Sequence, residues 1–279
     1  MEKDNFRVGF AFGGGGMCGV AHIGFLEVLE ENNIPIDVIS GISMGAIVGG
    51  FFASGLKAKE MENLVLKLAK NDIIEVNFFR LLKESLLTSR KIKGVIESNL
   101  VEKNIENAKI KFYAGACNLE TGKLEYFESG LFSDAMLCSS AIPGIFPPVG
   151  KDNKIFVDGG VVENVPFNKL KEEKVDVIFA IDCLGEYKKN KISSNTFSYL
   201  TSSFEVMQKI LIENNKTLNK ENFDLYIYDS TDGVNHIDTD FKLIPKLIES
   251  GRRSAEQNLE EIKKIIKKKK NLAKNAWFL

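Results

Sequence analysis

A serine set between two glycines, at the junction of an apolar run and a small-residue helix, is the feature that most constrains this chain. Residues 38–55 read VISGISMGAIVGGFFASG, with Ser43 flanked by Gly41 and Gly45. A sharp strand-to-helix turn crowds the backbone around its central residue, and glycines two positions to either side leave the room it needs. The serine hydroxyl then projects, which makes Ser43 the candidate nucleophile of a strand–turn–helix elbow. Ser43 also stands at a helix N-terminus, where unpaired N–H groups and the positive end of the helix dipole favour developing negative charge.

The rest of the pattern places this elbow in an α/β frame. Residues 7–12, RVGFAF, read as a strand buried on both faces, followed at once by the loop Gly13-Gly14-Gly15-Gly16-Met17-Cys18-Gly19 and a helix over residues 20–31. A second strand is expected over residues 36–40, ending in the elbow, and an amphipathic surface helix over residues 59–70. Residues 71–100 are apolar without one clean period, and read as helices packed on the core rather than as a flap. Residues 111–118 and 123–127 flank a turn with Gly122 and so form a hairpin; Ser133 and Asp134 are expected to cap a helix over residues 135–141. The apolar, proline-stiffened run 145–149 suits a groove wall. Strands over residues 154–157, 175–181 and 224–228, with a closing helix over residues 245–270, complete an alternation that predicts a mostly parallel sheet covered on both faces.

Composition narrows the function classes. The chain has 279 residues, 44% hydrophobic and 27% charged, with a formal charge of -1, which suits one globular α/β domain over residues 1–279 and gives no basic surface for nucleic acid. Cys18, Cys117, Cys138 and Cys183 have neither CxxC spacing nor clustered histidines, so no metal site or cofactor is expected and the thiols read as buried and free. Residues 1–10 lack the basic, apolar, small-residue order of a leader peptide, and the apolar windows 8–26 and 38–56 are broken by glycines; a cytoplasmic protein without a membrane span is the expectation.

A nucleophilic serine needs a base, and the chain offers two histidines, His22 and His236. His22 sits one turn into an apolar helix and reads as a core or capping residue. His236, in a polar loop after Asp158, is the runner-up base of a Ser–Asp–His triad. The stronger candidate is Asp158 itself, at a strand end and followed by Gly159 and Gly160, which permit close backbone approach. Burial would raise its pKa from about 3.9 and make it a usable partner for a hydroxyl. The loop Gly14, Gly15, Gly16 could supply converging N–H groups as an oxyanion hole. The same loop matches the dinucleotide pattern G-x-G-x-x-G as Gly14, Gly16 and Gly19, but the next acidic residue, Asp37, falls near the start of the following strand rather than at its end.

Together, FGGGGMCGVAHIGFLEVLEE, GISMGAIVGG, SSAIPGIFPPV and DGGVVENVPF resemble the patatin-like phospholipase family, most closely its smaller bacterial members, and LIESGRRSAEQNLEEI looks like the family's closing helix. The likeness runs over residues 8–265. It implies a three-layer α/β/α sandwich, a Ser43–Asp158 dyad and hydrolysis of lipid acyl esters, of phospholipase A, lysophospholipase or carboxylesterase type. The competing reading is an inactive lipid-binding relative or a nucleotide-binding module. One departure stands out: where the family pattern G-G-G-x-[R/K]-G has a cation, this chain has Cys18. The tail, residues 266–279, is lysine-rich and ends in Trp277-Phe278-Leu279; it reads as a solvated helix end, with peripheral contact to an anionic membrane as the alternative. Nothing in the pattern specifies an oligomeric state.

Overall fold

In the computed structural model, which describes residues 6–70, 85–184, 196–228 and 241–276, the alternation resolves into one mixed sheet. Its strands are β1 (Val8–Phe12), β2 (Val38–Ile42), β3 (Lys111–Asn118), β4 (Lys123–Phe127), β5 (Val149–Lys151), β6 (Lys154–Asp158), β7 (Val177–Asp182) and β8 (Leu225–Tyr228). Five of them run parallel in the order β3-β2-β1-β7-β8. β1 and β7, VGFAF and VIFAID, are buried at every residue, as strands covered on both faces must be. The departure from a parallel sheet is confined to one end, where β4 and β6 pair antiparallel with β3, and β5 with β6. β5 was not expected from the sequence, because three residues are too few to show a period.

β3 acts as the ruler of this end. Its residues 111–115 pair with β2, and its residues 114–118 pair with β4, so β2 and β4 must lie on opposite edges. β6 pairs with residues 116–118, and because β4 holds the other edge there, β6 continues the edge that β2 leaves. The two strands run toward each other. Ile42 ends β2 opposite Gly115, and Asp158 ends β6 opposite the next residue, Ala116. Whatever follows β2 therefore meets the last residue of β6 head-on.

Helices cover both faces: α1 (Ala21–Glu31), α2 (Met44–Ala53), α3 (Ala58–Lys70), α4 (Ser85–Asn99), α5 (Phe132–Ser139), α6 (Phe167–Glu172), α7 (Thr196–Leu218) and α8 (Ile244–Ala276). Side chains alternate along the strands, so Phe10, Phe12, Phe112 and Phe179 pack with α1 to α5 and α8 in the larger core. Ala11, Ile178 and Ala180 face the opposite layer, where Phe167 and Leu170 of α6 lie against them. α7 joins this second layer, its Asn215 meeting Asn168 of α6 at 3.0 Å. The result is a three-layer α/β/α sandwich.

Several boundaries differ from the sequence expectation. β2 runs two residues further, to Ile42, and the helix after the glycine loop is entered through a 3-10 turn, Gly16–Val20. Ser133 and Asp134 do not cap α5, which starts at Phe132; they lie in its first turn, where Ser133 bonds Glu97 and Asp134 pairs with Lys93 and Lys151. Tertiary partners from α4 and β5 outweigh their capping preference. The helix of residues 85–99 agrees with the helical reading of 71–100, while 71–84 lie outside the described residues. α8 continues six residues past its expected end, to Ala276, and near that end Lys269 pairs with Asp224 at 2.8 Å and Lys270 lies over the Phe6 ring. No described helix is long and apolar enough to cross a membrane.

α1 and α8 cross at paired glycines, where a Cβ on Gly24 would fall 1.9 Å from the Ile248 carbonyl oxygen and one on Gly251 1.8 Å from that of Ala21. Arg252 locks the crossing by bonding Glu27 at 2.8 Å and Glu31 at 2.9 Å. Gly251→Ala should therefore push the helices apart and destabilise the fold by about 1–3 kcal/mol or more. Gly94→Ala, in α4 with open space around it, should stabilise by about 0.5–1 kcal/mol. Urea denaturation of the two variants checks the contrast, and equal shifts would contradict the close crossing.

Candidate active site

Ser43 sits at the turn between β2 and α2 with φ 54° and ψ -123°. That left-handed φ is strained for a residue with a side chain, and such strain typically stores about 1–3 kcal/mol. Its surroundings hold it there. The Ser43 N–H donates to Ser139 Oγ at 3.0 Å, and that hydroxyl donates in turn to the Gly115 carbonyl at 2.6 Å. Both elbow glycines are required by close approach, since a Cβ on Gly45 would lie 2.2 Å from the Phe12 carbonyl oxygen and one on Gly41 2.6 Å from that of Gly45.

Asp158 arrives from the opposite direction and is almost wholly buried. Oδ1 accepts from the Gly160 N–H at 2.8 Å, and the Asp158 N–H donates to the Ala141 carbonyl at 2.9 Å. The segment leaving α5 thus holds both residues by their backbone, Ser43 through Ser139 and Asp158 through Ala141. Burial pushes the Asp158 pKa up to about 6, against the opposing pull of the Ser43 hydroxyl and the Gly160 N–H. Among the described residues its Oδ2 has no other hydrogen-bond partner, which leaves it facing the Ser43 hydroxyl that acts on its pKa.

The glycine loop completes the site. The Gly13 N–H donates to the Ile181 carbonyl at 2.9 Å, and His22 Nε2 bonds the Gly13 carbonyl at 2.8 Å. Asn164 clasps Gly14 from both sides: its carbonyl accepts from the Gly14 N–H at 3.0 Å, and its Nδ2 donates to the Gly14 carbonyl at 2.9 Å. A Cβ on Gly14 would fall 3.0 Å from the Ser43 Cβ, which sets the loop directly against the serine. The N–H groups of this loop differ in their partners. The Gly14 N–H is committed to Asn164, whereas the N–H groups of Gly15 and Gly16 have no backbone acceptor among the described residues.

A model of the patatin-like phospholipase family matches residues 10–171, a span that contains the loop, the elbow and Asp158. The chain belongs to this family. Among curated relatives it is 32% identical over 178 residues to lysophospholipase nte1 of Emericella nidulans, and 30% identical over the same length to lysophospholipase nte1 of Neurospora crassa. Each match covers 63% of this chain and 12% of the relative, so the chain corresponds to a small part of those proteins. The crystal structure of VipD from Legionella pneumophila shares the fold, with TM-score 0.52 and 16% identity over 91% of this chain and 67% of VipD.

The patatin-like chain deals with its remaining polar groups in ways the sequence did not reveal. Ser139, Ala141 and Asn164 lie inside the stretches SSAIPGIFPPV and DGGVVENVPF, but nothing in their spacing tells which atoms face the elbow. Lys209 of α7 comes from a distant helix: its Nζ donates to the Leu184 carbonyl at 2.8 Å, and its charge acts on Cys18 and Cys183 beside the loop. Burial lowers the Lys209 pKa, with Asp182 the main opposing influence. Asp37 accepts from the Val8 N–H at 2.8 Å, at the start of β1 and so at the end of the sheet away from the loop. His236 lies outside the described residues.

His22 and Asp158 carry opposite pH signatures. Burial lowers His22 from 6.5 to about 4, so as pH falls from 6.5 to 4 the unfolded chain takes up a proton that the fold refuses, and stability is lost. Asp158, raised from 3.8 to about 6, holds a proton in the fold that the unfolded chain has released, so its contribution is lost as pH rises from 4 to 6. Asp158→Asn should accordingly be more stabilising at pH 7 than at pH 4 by about 3 kcal/mol. Chemical denaturation at both pH values measures the difference. Ser139→Ala should destabilise by about 1–3 kcal/mol, because it leaves the Ser43 N–H and the Gly115 carbonyl buried without partners.

Proposed function

We propose that this protein is a serine acyl hydrolase that cleaves lipid acyl esters with Ser43 as nucleophile and Asp158 as base. The observation that carries this reading is the head-on junction of β2 and β6, which sets the Ser43 hydroxyl beside a carboxyl whose pKa burial pushes up to about 6. Such a group is largely ionised at neutral pH yet more basic than an ordinary carboxylate. Oγ attacks the ester carbonyl carbon as its proton passes to Asp158. The tetrahedral oxyanion is held by the Gly15 and Gly16 N–H groups and by the N-terminal end of α2. Collapse breaks the ester C–O bond, and Asp158 returns its proton to the leaving alkoxide. A water then gives its proton to Asp158 and attacks the acyl carbon; collapse breaks the bond to Ser43 Oγ, Asp158 returns the proton to Oγ, and the carboxylic acid leaves.

One further observation supports a dyad: His22 is wholly buried with Nε2 committed to the Gly13 carbonyl. The relatives named lysophospholipases support a lipid ester carrying one acyl chain, with phospholipids and simple carboxylic esters in the same class. Four buried free thiols suit a reducing, cytoplasmic setting. The nucleotide-binding alternative is disfavoured by the position of Asp37 and by the Gly14 N–H already bonded to Asn164.

A fluorophosphonate probe should label Ser43, and failure to label it would sink the hydrolase reading. On a water-soluble short-chain ester, Ser43→Ala and Asp158→Asn should each lower kcat/KM by about 10³-fold or more. His236→Ala should leave turnover within a few-fold, and the acid limb of the kcat/KM profile should titrate near pH 6, where Asp158 protonates. Collapse of turnover in His236→Ala would replace the dyad by a triad.

A further inference from the structure

α7 is built inside out. Glu205, Gln208 and Ile212 face the protein and are buried, whereas Tyr199, Leu200, Val206, Met207, Ile210 and Leu211 face outward and are exposed, Met207 and Ile210 by 55% and 56%. A helix that only packed on a core would show the reverse pattern, so a contiguous exposed apolar face requires an explanation. From Tyr199 to Leu211 the exposed described residues include no charged group. The hydroxyl of Ser203, exposed among them, turns back to the Tyr199 carbonyl at 2.7 Å.

The inward side of the same helix touches the site. Gln208 Nε2 reaches the Gly160 carbonyl at 3.4 Å, two residues from Asp158. Lys209 bonds the Leu184 carbonyl at 2.8 Å next to the glycine loop, and Asn215 Nδ2 donates to Glu163 at 3.0 Å, within the segment that follows Asp158. The apolar strip is therefore the outer side of a helix whose inner side holds the segment around Asp158.

We propose that the outward face of α7 docks on a lipid surface and holds the site against the bilayer from which its ester substrate is drawn. This rests on the hydrolase reading above. Area and charge favour lipid over a second copy of the chain. Thirteen helical residues at about 1.5 Å each, on a helix about 10 Å wide, present roughly 200 Å², far below the ~800 Å² per partner that a stable protein interface buries. A bilayer requires no matching shape, and a charge-free apolar strip flanked by polar residues suits insertion at its interface. The surface is separate from the lysine-rich end of α8, whose attraction would be electrostatic.

The test uses the full chain, zwitterionic phosphatidylcholine vesicles and two double variants, Met207→Asp/Ile210→Asp and Met207→Ser/Ile210→Ser. In vesicle co-sedimentation the Asp pair should bind at least tenfold more weakly than the parent and the Ser pair severalfold more weakly. Both should keep turnover of a water-soluble short-chain ester within twofold and unfold at the parental urea midpoint. Unchanged vesicle binding in both pairs would overturn the proposal. So would a parental dimer, seen by analytical ultracentrifugation, that the Asp pair converts to monomer. If the parent binds vesicles through this face but turns over no ester, docking stands and the hydrolase reading falls.

Discussion

The site depends on one constraint of sheet geometry: two strands share a single edge of β3 and approach from opposite directions. β2 ends at Ile42 opposite Gly115, and β6 ends at Asp158 opposite Ala116. Neighbouring register positions on one strand are a few ångströms apart, so a serine following the first strand and an aspartate ending the second face each other by construction. No loop has to find the other. The segment after α5 then holds the meeting point from above, taking the Ser43 N–H on Ser139 and giving the Ala141 carbonyl to Asp158.

This arrangement works against stability. A buried carboxyl with its pKa pushed up to about 6 weakens the fold by about 3 kcal/mol at neutral pH, and the left-handed Ser43 adds strain of about 1–3 kcal/mol. Those sums are a large part of the 5–15 kcal/mol by which domains are stable. The larger core offsets them with buried phenylalanines from both sheet and helices, and the α1–α8 crossing brings two backbones into direct contact. Rigid packing around a strained elbow is what a preformed site requires, because a hydroxyl and its base must not wander.

α7 links this site to the surface. Glu205 and Gln208 face inward, Gln208 and Asn215 hold the Asp158-Gly159-Gly160 turn and the residues after it, and Lys209 donates to the Leu184 carbonyl. Apart from Ile212, its large apolar residues from Val206 to Leu218 face out. A hydrophobic pattern read along the chain would assign the helix the opposite orientation, since apolar stripes usually face a core. Here the layer beneath α7 is lined by Gly160, Glu163 and Asn168, and polar partners there decide which side turns in.

The sequence alone determined the local features. Glycines around Ser43, a loop without side chains after the first strand and Asp158 followed by two glycines are steric requirements that leave their mark on residue type, and the hairpin at 111–127 follows from its turn chemistry. Family membership was legible for the same reason. Tertiary structure decided what depends on atoms far apart in sequence: that β6 takes the edge β2 leaves, that Ser139 and Asn164 are the residues that clamp the elbow and the loop, that the Gly14 N–H is bonded to the Asn164 carbonyl, and that α7 turns Glu205 and Gln208 inward. Hydrogen bonds across 96 and 150 residues have no period and no motif, because a polar side chain's partner is chosen by where the chain folds back rather than by its neighbours in sequence.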